Sequence, residues 1–159
     1  YLKTQINLYK KLYIIQSFSK FYSCAGIRIG AIFSHKDNIR ELKFPMWGLS
    51  SFDSEFLTKR LSDEDFVKKT KRLHKKQKKE LYDILKDSKL FSKIYKSKSN
   101  FFLTKSNKSK IIFQELLKKK ILVRTCGSFD FLGNKHLRFA VKDKHSHNKL
   151  IKALKEITK

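Results

Sequence analysis

The first third of the chain alternates between apolar runs that predict strands and polar stretches that predict loops. Residues 2–12 place apolar side chains at near-helical spacing, and residues 13–15 form an apolar run that predicts a short buried strand. Residues 29–33 predict a second buried strand, and the segment 17–29 between them, rich in small residues at its centre, predicts a loop. A helix that leads into a buried strand is the repeating step of an α/β layer, so we expect this part of the chain to belong to one.

The middle of the chain has a helical pattern. A short helical signal at residues 38–43 precedes Pro45, and over residues 50–90 apolar side chains recur every three or four positions. A polar turn interrupts this repeat, and Ser62 or Asp63 is expected to cap the second helix. Basic side chains fill the positions between the apolar ones of that helix, which is typical of the solvated face of an amphipathic helix. These are Lys68, Lys69, Lys71, Arg72, Lys75, Lys76, Lys78 and Lys79.

Strand and helix signals alternate in the last third of the chain. Apolar runs at residues 101–103, 121–124 and 137–141 predict strands, and helical patterns at residues 111–117 and 146–157 predict two helices. Strands that alternate with helices and end on a C-terminal helix predict a compact α+β subdomain.

The composition is strongly basic, with 38 Lys and Arg against 14 Asp and Glu and a formal charge of +24. Such an excess raises nucleic acid or an anionic membrane as a partner, and a Lys-rich module that binds nucleic acid or an acidic partner is the alternative of a different functional class. Most of the basic residues are lysines, whereas specific recognition of phosphates and bases favours the forked guanidinium. We therefore expect no nucleic-acid partner. The six arginines are Arg28, Arg40, Arg60, Arg72, Arg124 and Arg138.

Cysteine and histidine usage indicates neither a disulfide framework nor a metal site. Cys24 and Cys126 are far apart in the sequence and belong to no Cys-x-x-Cys pair, which fits a reducing cytoplasm. The five histidines lack metal-ligand spacing, so no metal is expected. No stretch approaches the roughly 18 to 20 apolar residues that span a bilayer, so the protein is expected to be soluble, with no membrane partner. The chain opens on Tyr1 rather than on methionine, which suggests a fragment.

The candidate chemistry lies between the first two predicted strands. A lysine just beyond a buried strand can be partly desolvated, which lowers its pKa and makes the neutral amine available to attack an aldehyde, so Lys20 is a candidate nucleophile. Ser17, Ser19 and Arg28 add two hydroxyls and a guanidinium to the same segment, which are the donors that a phosphate dianion requires. From these residues alone the segment is a weak phosphate-loop signal, because serine, lysine and glycine are common in ordinary connections.

The spacing of these residues forms a specific motif. From Ser17 to Gly30 the chain has the pattern Ser-x-Ser-Lys-x-x-x-x-x-Gly-x-Arg-x-Gly, in which Gly26 and Gly30 permit close backbone approach. This pattern resembles the cofactor-lysine signature of the class I/II aminotransferases, which are pyridoxal 5'-phosphate (PLP) enzymes of fold type I. The resemblance implies that Lys20 holds PLP as a Schiff base. It also implies that Ser17, Ser19 and Arg28 contact or support the cofactor phosphate.

Three segments of the last third extend the resemblance to nearly the whole chain. Residues 99–103 are similar to the Asn-plus-apolar strand of the family's small domain, residues 121–124 to its Ile-Leu-(Val/Ile)-Arg strand, and residues 136–141 to its Arg-containing strand. Within the superfamily the chain resembles the branch of histidinol-phosphate aminotransferase and threonine-phosphate decarboxylase. The resemblance implies that Arg138 binds a substrate carboxylate, with Arg124 as a second substrate-binding arginine.

Finer features favour the decarboxylase over the aminotransferase. Residues 19–22, 45–47 and 124–129 look more like the amino-acid O-phosphate decarboxylase, and Arg124 and Arg138 together suit a substrate with two anionic ends. The first expectation is a threonine- or serine-phosphate decarboxylase. Because a histidinol-phosphate aminotransferase can use a similar arginine pair, that activity is the alternative.

The resemblance also implies a domain organisation. Residues 1–44 would end the PLP-binding large domain and its α/β sheet, residues 45–68 would form an interdomain helical segment, and residues 69–159 would form the small α+β domain. The family's remaining cofactor contacts precede the lysine segment, so this polypeptide alone is expected to be inactive. The resemblance implies a homodimer for the intact protein.

Overall fold

A computed structural model describes residues 2–44 and 48–158. The chain divides into two compact units, one ending at Phe66 and the other beginning at Val67. Residues 45–47, one of the segments whose sequence looks more like the decarboxylase, lie outside the described residues. Within the described parts of the chain, no helix combines the length and the apolar character needed to cross a membrane.

The first unit is built around a two-stranded antiparallel ribbon. Its elements are a 3-10 helix (Leu2–Gln5), strands β1 (Tyr13–Ser17) and β2 (Gly30–Ser34), and helices α1 (Lys36–Glu41) and α2 (Ser51–Ser62). The helix expected over residues 2–12 is wrong beyond its first turn, because turns occupy residues 6–8 and 10–11. The strands were expected to be buried, yet β1 is almost wholly exposed, with Ile15 at 77%. A ribbon of two strands has no neighbouring strand to cover it, so its apolar residues remain accessible.

Side chains of the loop after β1 form the core of this unit. Phe18 and Cys24 are buried with Leu57 of α2, and Tyr22 and Phe56 are among the partly buried residues packed against them. Apolar contact therefore fixes the loop to α2, although the ribbon itself is exposed.

Helix α3 (Glu64–Asp87) begins where the sequence predicted a cap. The Asp63 carboxylate accepts a hydrogen bond from the Phe66 backbone N–H at 2.8 Å, which satisfies one of the free donors of the first turn. The basic residues predicted to form its solvated face are exposed, with one exception. The Lys78 ammonium is partly buried and donates to the carbonyls of Ser97 and Ser99, each at 2.7 Å.

The second unit is a four-stranded antiparallel sheet with helices packed on one face. The strands lie in the order β3 (Lys93–Ile94), β4 (Phe101–Lys105), β6 (His136–Ala140) and β5 (Arg124–Thr125), and the helices are α4 (Ser109–Lys118) and α5 (Lys144–Ile157). The strand expected at residues 121–124 is shorter and later than predicted. Ile121 closes the end of α4 instead, because its N–H bonds to the Leu116 carbonyl at 2.9 Å.

Strand periodicity separates the two faces of this sheet. Phe102, Leu137 and Phe139 point to the helices and are 2–5% exposed, and they pack with apolar residues such as Leu81 of α3 and Leu154 of α5. Since alternate residues point the other way, Leu103 and Arg138 lie on the opposite face, where their Cα atoms are paired. The helix-covered face holds the core, and the other face is left for polar chemistry.

Candidate active site

The loop of residues 18–29 is closed by a tight strand pair. Ser17 pairs with Gly30, and the Phe18 N–H bonds to the Ile29 carbonyl at 3.3 Å. A Cβ atom on Gly30 would lie 2.6 Å from the Gln16 carbonyl oxygen, closer than van der Waals contact allows. Glycine is therefore required for this approach of β2 to β1. Around Gly26 no described residue lies within 4 Å of a Cβ, so the close approach expected there is not formed by the part of the chain that the structure describes.

Lys20 lies at the start of this loop in a helix-like turn. The N–H groups of Tyr22 and Cys24 bond to the carbonyls of Phe18 and Ser19 at 3.1 Å each, and the turn ends at Ser23 with φ of 55°. Phe18 and Ser19 are buried, but Lys20 is exposed. The expectation of a buried amine is thus wrong for this chain, because strand β1, which precedes Lys20, is itself exposed.

The other predicted phosphate contacts lie in the same loop or at its base. Ser17 ends β1 and is exposed, whereas Ser19 is 8% exposed. Arg28 has φ of 57° and donates through Nη1 to the Ala25 carbonyl at 3.2 Å, which leaves its other N–H groups for further partners. Within the described parts of the chain, Lys20 and Arg28 form no ion pair with a carboxylate. Two hydroxyls, an amine and a guanidinium are a donor set that fits a phosphate monoester with an aldehyde group.

The second unit brings the two predicted substrate arginines together. Arg124 of β5 and Arg138 of β6 are Cα partners in the sheet, so their side chains lie on one face. Each guanidinium lies near an aromatic ring, Arg124 5.2 Å from the centre of Phe129 and Arg138 4.7 Å from that of Phe101. Neither arginine is ion-paired with any carboxylate that the structure describes. Two adjacent guanidiniums without acidic partners form a site that favours anions.

Cys126 lies close enough to this pair for both positive charges to act on its thiol. Its thiol is 1% exposed, and burial raises its pKa because the thiolate would lose its hydration. The nearby positive charges of Arg138 and Arg124 oppose that effect and lower the pKa, though by less than burial raises it. Both arginines thus act on the same buried group, as two positive charges on neighbouring strands would.

Sequence reasoning missed a hydrogen-bonded side-chain pair on the same face, the buried His136 and the partly buried Tyr95. His136 is 8% exposed; its Nε2 lies 3.2 Å from the Tyr95 hydroxyl, and its Nδ1 bonds to the Leu132 carbonyl. His136 stands two positions before Arg138 on β6. Since side chains two positions apart in a strand point to the same face, the sequence could have placed His136 beside Arg138. Among the residues described, no cluster of His, Cys, Asp or Glu could hold a metal ion.

Comparison with known proteins identifies the family. The family model for aminotransferase class I and II matches residues 2–157. The histidinol-phosphate aminotransferase of Methanocaldococcus jannaschii is 31% identical over 154 residues, covering 94% of this chain and 41% of the relative. The adenosylcobalamin biosynthesis bifunctional protein CobDQ of Leptospira interrogans is 33% identical over 156 residues, covering 93% of this chain and 18% of that protein.

A solved structure supports the same assignment. The crystal structure of the histidinol-phosphate aminotransferase from Clostridium acetobutylicum has a TM-score of 0.86 and 27% identity, and the match covers 98% of this chain and 48% of that one. The chain thus spans less than half the length of these relatives. Since the family match includes the Lys20 loop and both arginine strands, the chain belongs to the class I and II aminotransferase family and has the mixed α/β fold of its PLP-dependent members.

Proposed function

We propose that this chain is the lysine-bearing C-terminal portion of a PLP-dependent aminotransferase of the histidinol-phosphate type. The loop between β1 and β2 supports the cofactor assignment most directly, because it gathers an amine, a guanidinium and two hydroxyls around one strand pair. Histidinol-phosphate aminotransferases recur among the relatives at 29–33% identity, which favours this activity over the O-phosphate decarboxylase that the sequence segments favoured.

The residues of the loop have distinct roles in this proposal. Lys20 would hold the cofactor through its amine, and Ser17, Ser19 and Arg28 would donate to its phosphate. When bound, the cofactor supplies a protonated ring that accepts electrons from the bond breaking at the substrate α-carbon. Lys20 would then be the group that moves a proton at that carbon. The exposure of Lys20 in this chain leaves its amine accessible for both tasks.

The arginine pair binds the anionic ends of the substrates. Arg138 receives a carboxylate, and Arg124 receives a second anionic group such as a carboxylate or phosphate ester. A bidentate contact fixes the orientation of each group as well as its position. Reaction specificity would then depend on how the pair orients the bonds of the substrate α-carbon.

The proposal includes residues that precede this chain in the intact enzyme. Residues 1–44 would complete the large cofactor-binding domain, residues 45–68 would form the interdomain helical segment, and residues 69–159 would be the small domain. The functional form would be a homodimer. The 159-residue polypeptide by itself is then expected to show no turnover.

The decisive experiment is substitution of Lys20 in the full-length protein. Lys20→Ala should abolish the cofactor absorbance at about 420 nm and the transaminase activity. A matched control is Lys69→Ala, which removes an exposed lysine of α3 and should leave both unchanged. Borohydride trapping followed by peptide mapping should label Lys20, and labelling of another lysine would refute the assignment.

A product assay then separates the two activities. With histidinol phosphate and a 2-oxo acid the wild-type protein should transfer the amino group to the oxo acid. Release of carbon dioxide from threonine phosphate or serine phosphate, without amino transfer, would instead establish the decarboxylase.

A further inference from the structure

The segment between the two substrate arginines is held in place by contacts at several points. Residues 126–135, which we call the β5–β6 loop, connect the strand of Arg124 to that of Arg138. Phe129 in this loop places its ring 5.2 Å from the Arg124 guanidinium, and the Ser109 hydroxyl of α4 donates to the Asn134 carbonyl at 2.6 Å. The conformation of the loop therefore determines what Arg124 packs against.

The same loop is also bound to His136, the first residue of β6. A carbonyl oxygen can only accept a hydrogen bond, so His136 must donate to the Leu132 carbonyl through Nδ1–H. In the neutral ring, Nε2 then has no proton and accepts from the Tyr95 hydroxyl at 3.2 Å. Because both ring nitrogens have partners and the side chain is 8% exposed, the imidazole has one defined orientation.

Tyr95 is itself held by strand β4 and its neighbourhood. Its backbone N–H bonds to the Leu103 carbonyl at 2.9 Å, and the Lys93 ammonium lies 4.7 Å from the centre of its ring. The contacts thus run from Tyr95 through His136 to Leu132 in the loop, and Phe129 of the same loop packs against Arg124. His136 stands two residues before Arg138 on one face of β6, so a single side chain connects the strand of one arginine to the loop that supports the other.

We propose that His136 is a positioning residue that sets the spacing of Arg124 and Arg138, and through it the binding of a substrate with two anionic groups. The inference rests on the proposed function, since it assigns His136 a role in binding that enzyme's substrates. His136 does not itself touch the substrate in this proposal. It acts through the β5–β6 loop.

Two amide substitutions separate the two hydrogen bonds of His136. In His136→Asn the amide nitrogen lies near the former Nδ1 position and can still donate to the Leu132 carbonyl. In His136→Gln the amide lies near the former Nε2 position, so the bond to Tyr95 can persist while the bond to the loop is lost. The measurement is steady-state kinetics of amino transfer with a dicarboxylate amino donor in the full-length, cofactor-loaded protein.

The proposal predicts different behaviour for the two variants. His136→Gln should raise KM roughly three- to tenfold, the effect of one net hydrogen bond, with kcat nearly unchanged. His136→Asn should keep a KM close to that of the wild type. Phe129→Leu, which removes a partly exposed ring and therefore should fold, is expected to raise KM in the same direction.

Other outcomes would overturn the inference. If both amide variants lower the unfolding midpoint while KM stays at the wild-type value, His136 is only structural. Equal increases of KM in both variants would also contradict the role of the loop bond. If the wild-type protein transfers no amino group at all, the proposed function itself is refuted. If the wild type is active and the KM of His136→Gln equals that of the wild type, only the positioning role is refuted.

Discussion

Substitution of Gly30 by alanine tests whether close strand approach organises the lysine loop. An ideal Cβ on Gly30 would lie 2.6 Å from the Gln16 carbonyl oxygen, 3.4 Å from the Gln16 carbonyl carbon and 3.5 Å from the Ser17 Cα. All three atoms belong to the backbone of β1, so no side-chain rotation can relieve the overlap. The strands must separate at the Ser17–Gly30 pair, and overpacking of this kind costs about 1–3 kcal/mol.

Thiol labelling of the chain measures this loss of stability within the first unit. Cys24 is 5% exposed and packs in the loop core, so it reacts only when that core opens. A loss of about 1–3 kcal/mol corresponds to an increase of roughly 5- to 150-fold in the opening constant and, with fast reclosing, in the labelling rate of Cys24. Cys126, which lies in the core-bearing second unit at 1% exposure, is an internal reference whose rate should not change.

Gly26→Ala is the matched control for Gly30→Ala. It adds the same methyl group in the same loop, where nothing lies within 4 Å of a Cβ. Its Cys24 labelling rate should remain within about threefold of the wild type, as is usual for a substitution that creates no overlap. Equal rates in the Gly26→Ala and Gly30→Ala proteins would show that the strand contact does not determine the loop conformation.

Two further predictions concern the second unit. Leu81→Ala removes a side chain that is 0% exposed and should lower the free energy of unfolding in urea by about 2–5 kcal/mol. The control Leu122→Ala, at a site that is 78% exposed, should change this free energy by less than about 0.5 kcal/mol. Equal losses in the two variants would contradict the assignment of Leu81 to the core. Asp143 caps α5 through the Ser146 N–H at 2.7 Å, and this hydrogen bond is the main reason that the pKa of its carboxyl lies below the ordinary value. A lowered pKa means that the cap stabilises the fold above the carboxyl's ordinary pKa, so Asp143→Ala should be less stable than the wild type at neutral pH. The difference should vanish as the pH falls through the lowered pKa, and a difference that is constant with pH would refute the charge-dependent cap.

Local sequence determined the helices from α1 onwards and the motif, because both depend on residues that are close in the chain. The apolar repeat and the cap expected at Ser62 or Asp63 predicted α3 correctly, with Asp63 as the cap in the structure. The last helix begins within two residues of its predicted start. The order and spacing of Ser17, Ser19, Lys20 and Arg28 carried the resemblance to the aminotransferase family, which the family model confirms.

Burial and side-chain pairing were decided only by the tertiary structure. The apolar run at β1 predicted a buried strand. Within the described residues, however, no further strand is paired with the ribbon, so both β1 and Lys20 are exposed. The adjacency of Arg124 and Arg138, and the bonds of His136 to Tyr95 and Leu132, depend on strand register. Strand register joins residues that are distant in sequence, and local periodicity contains no information about which of them will meet.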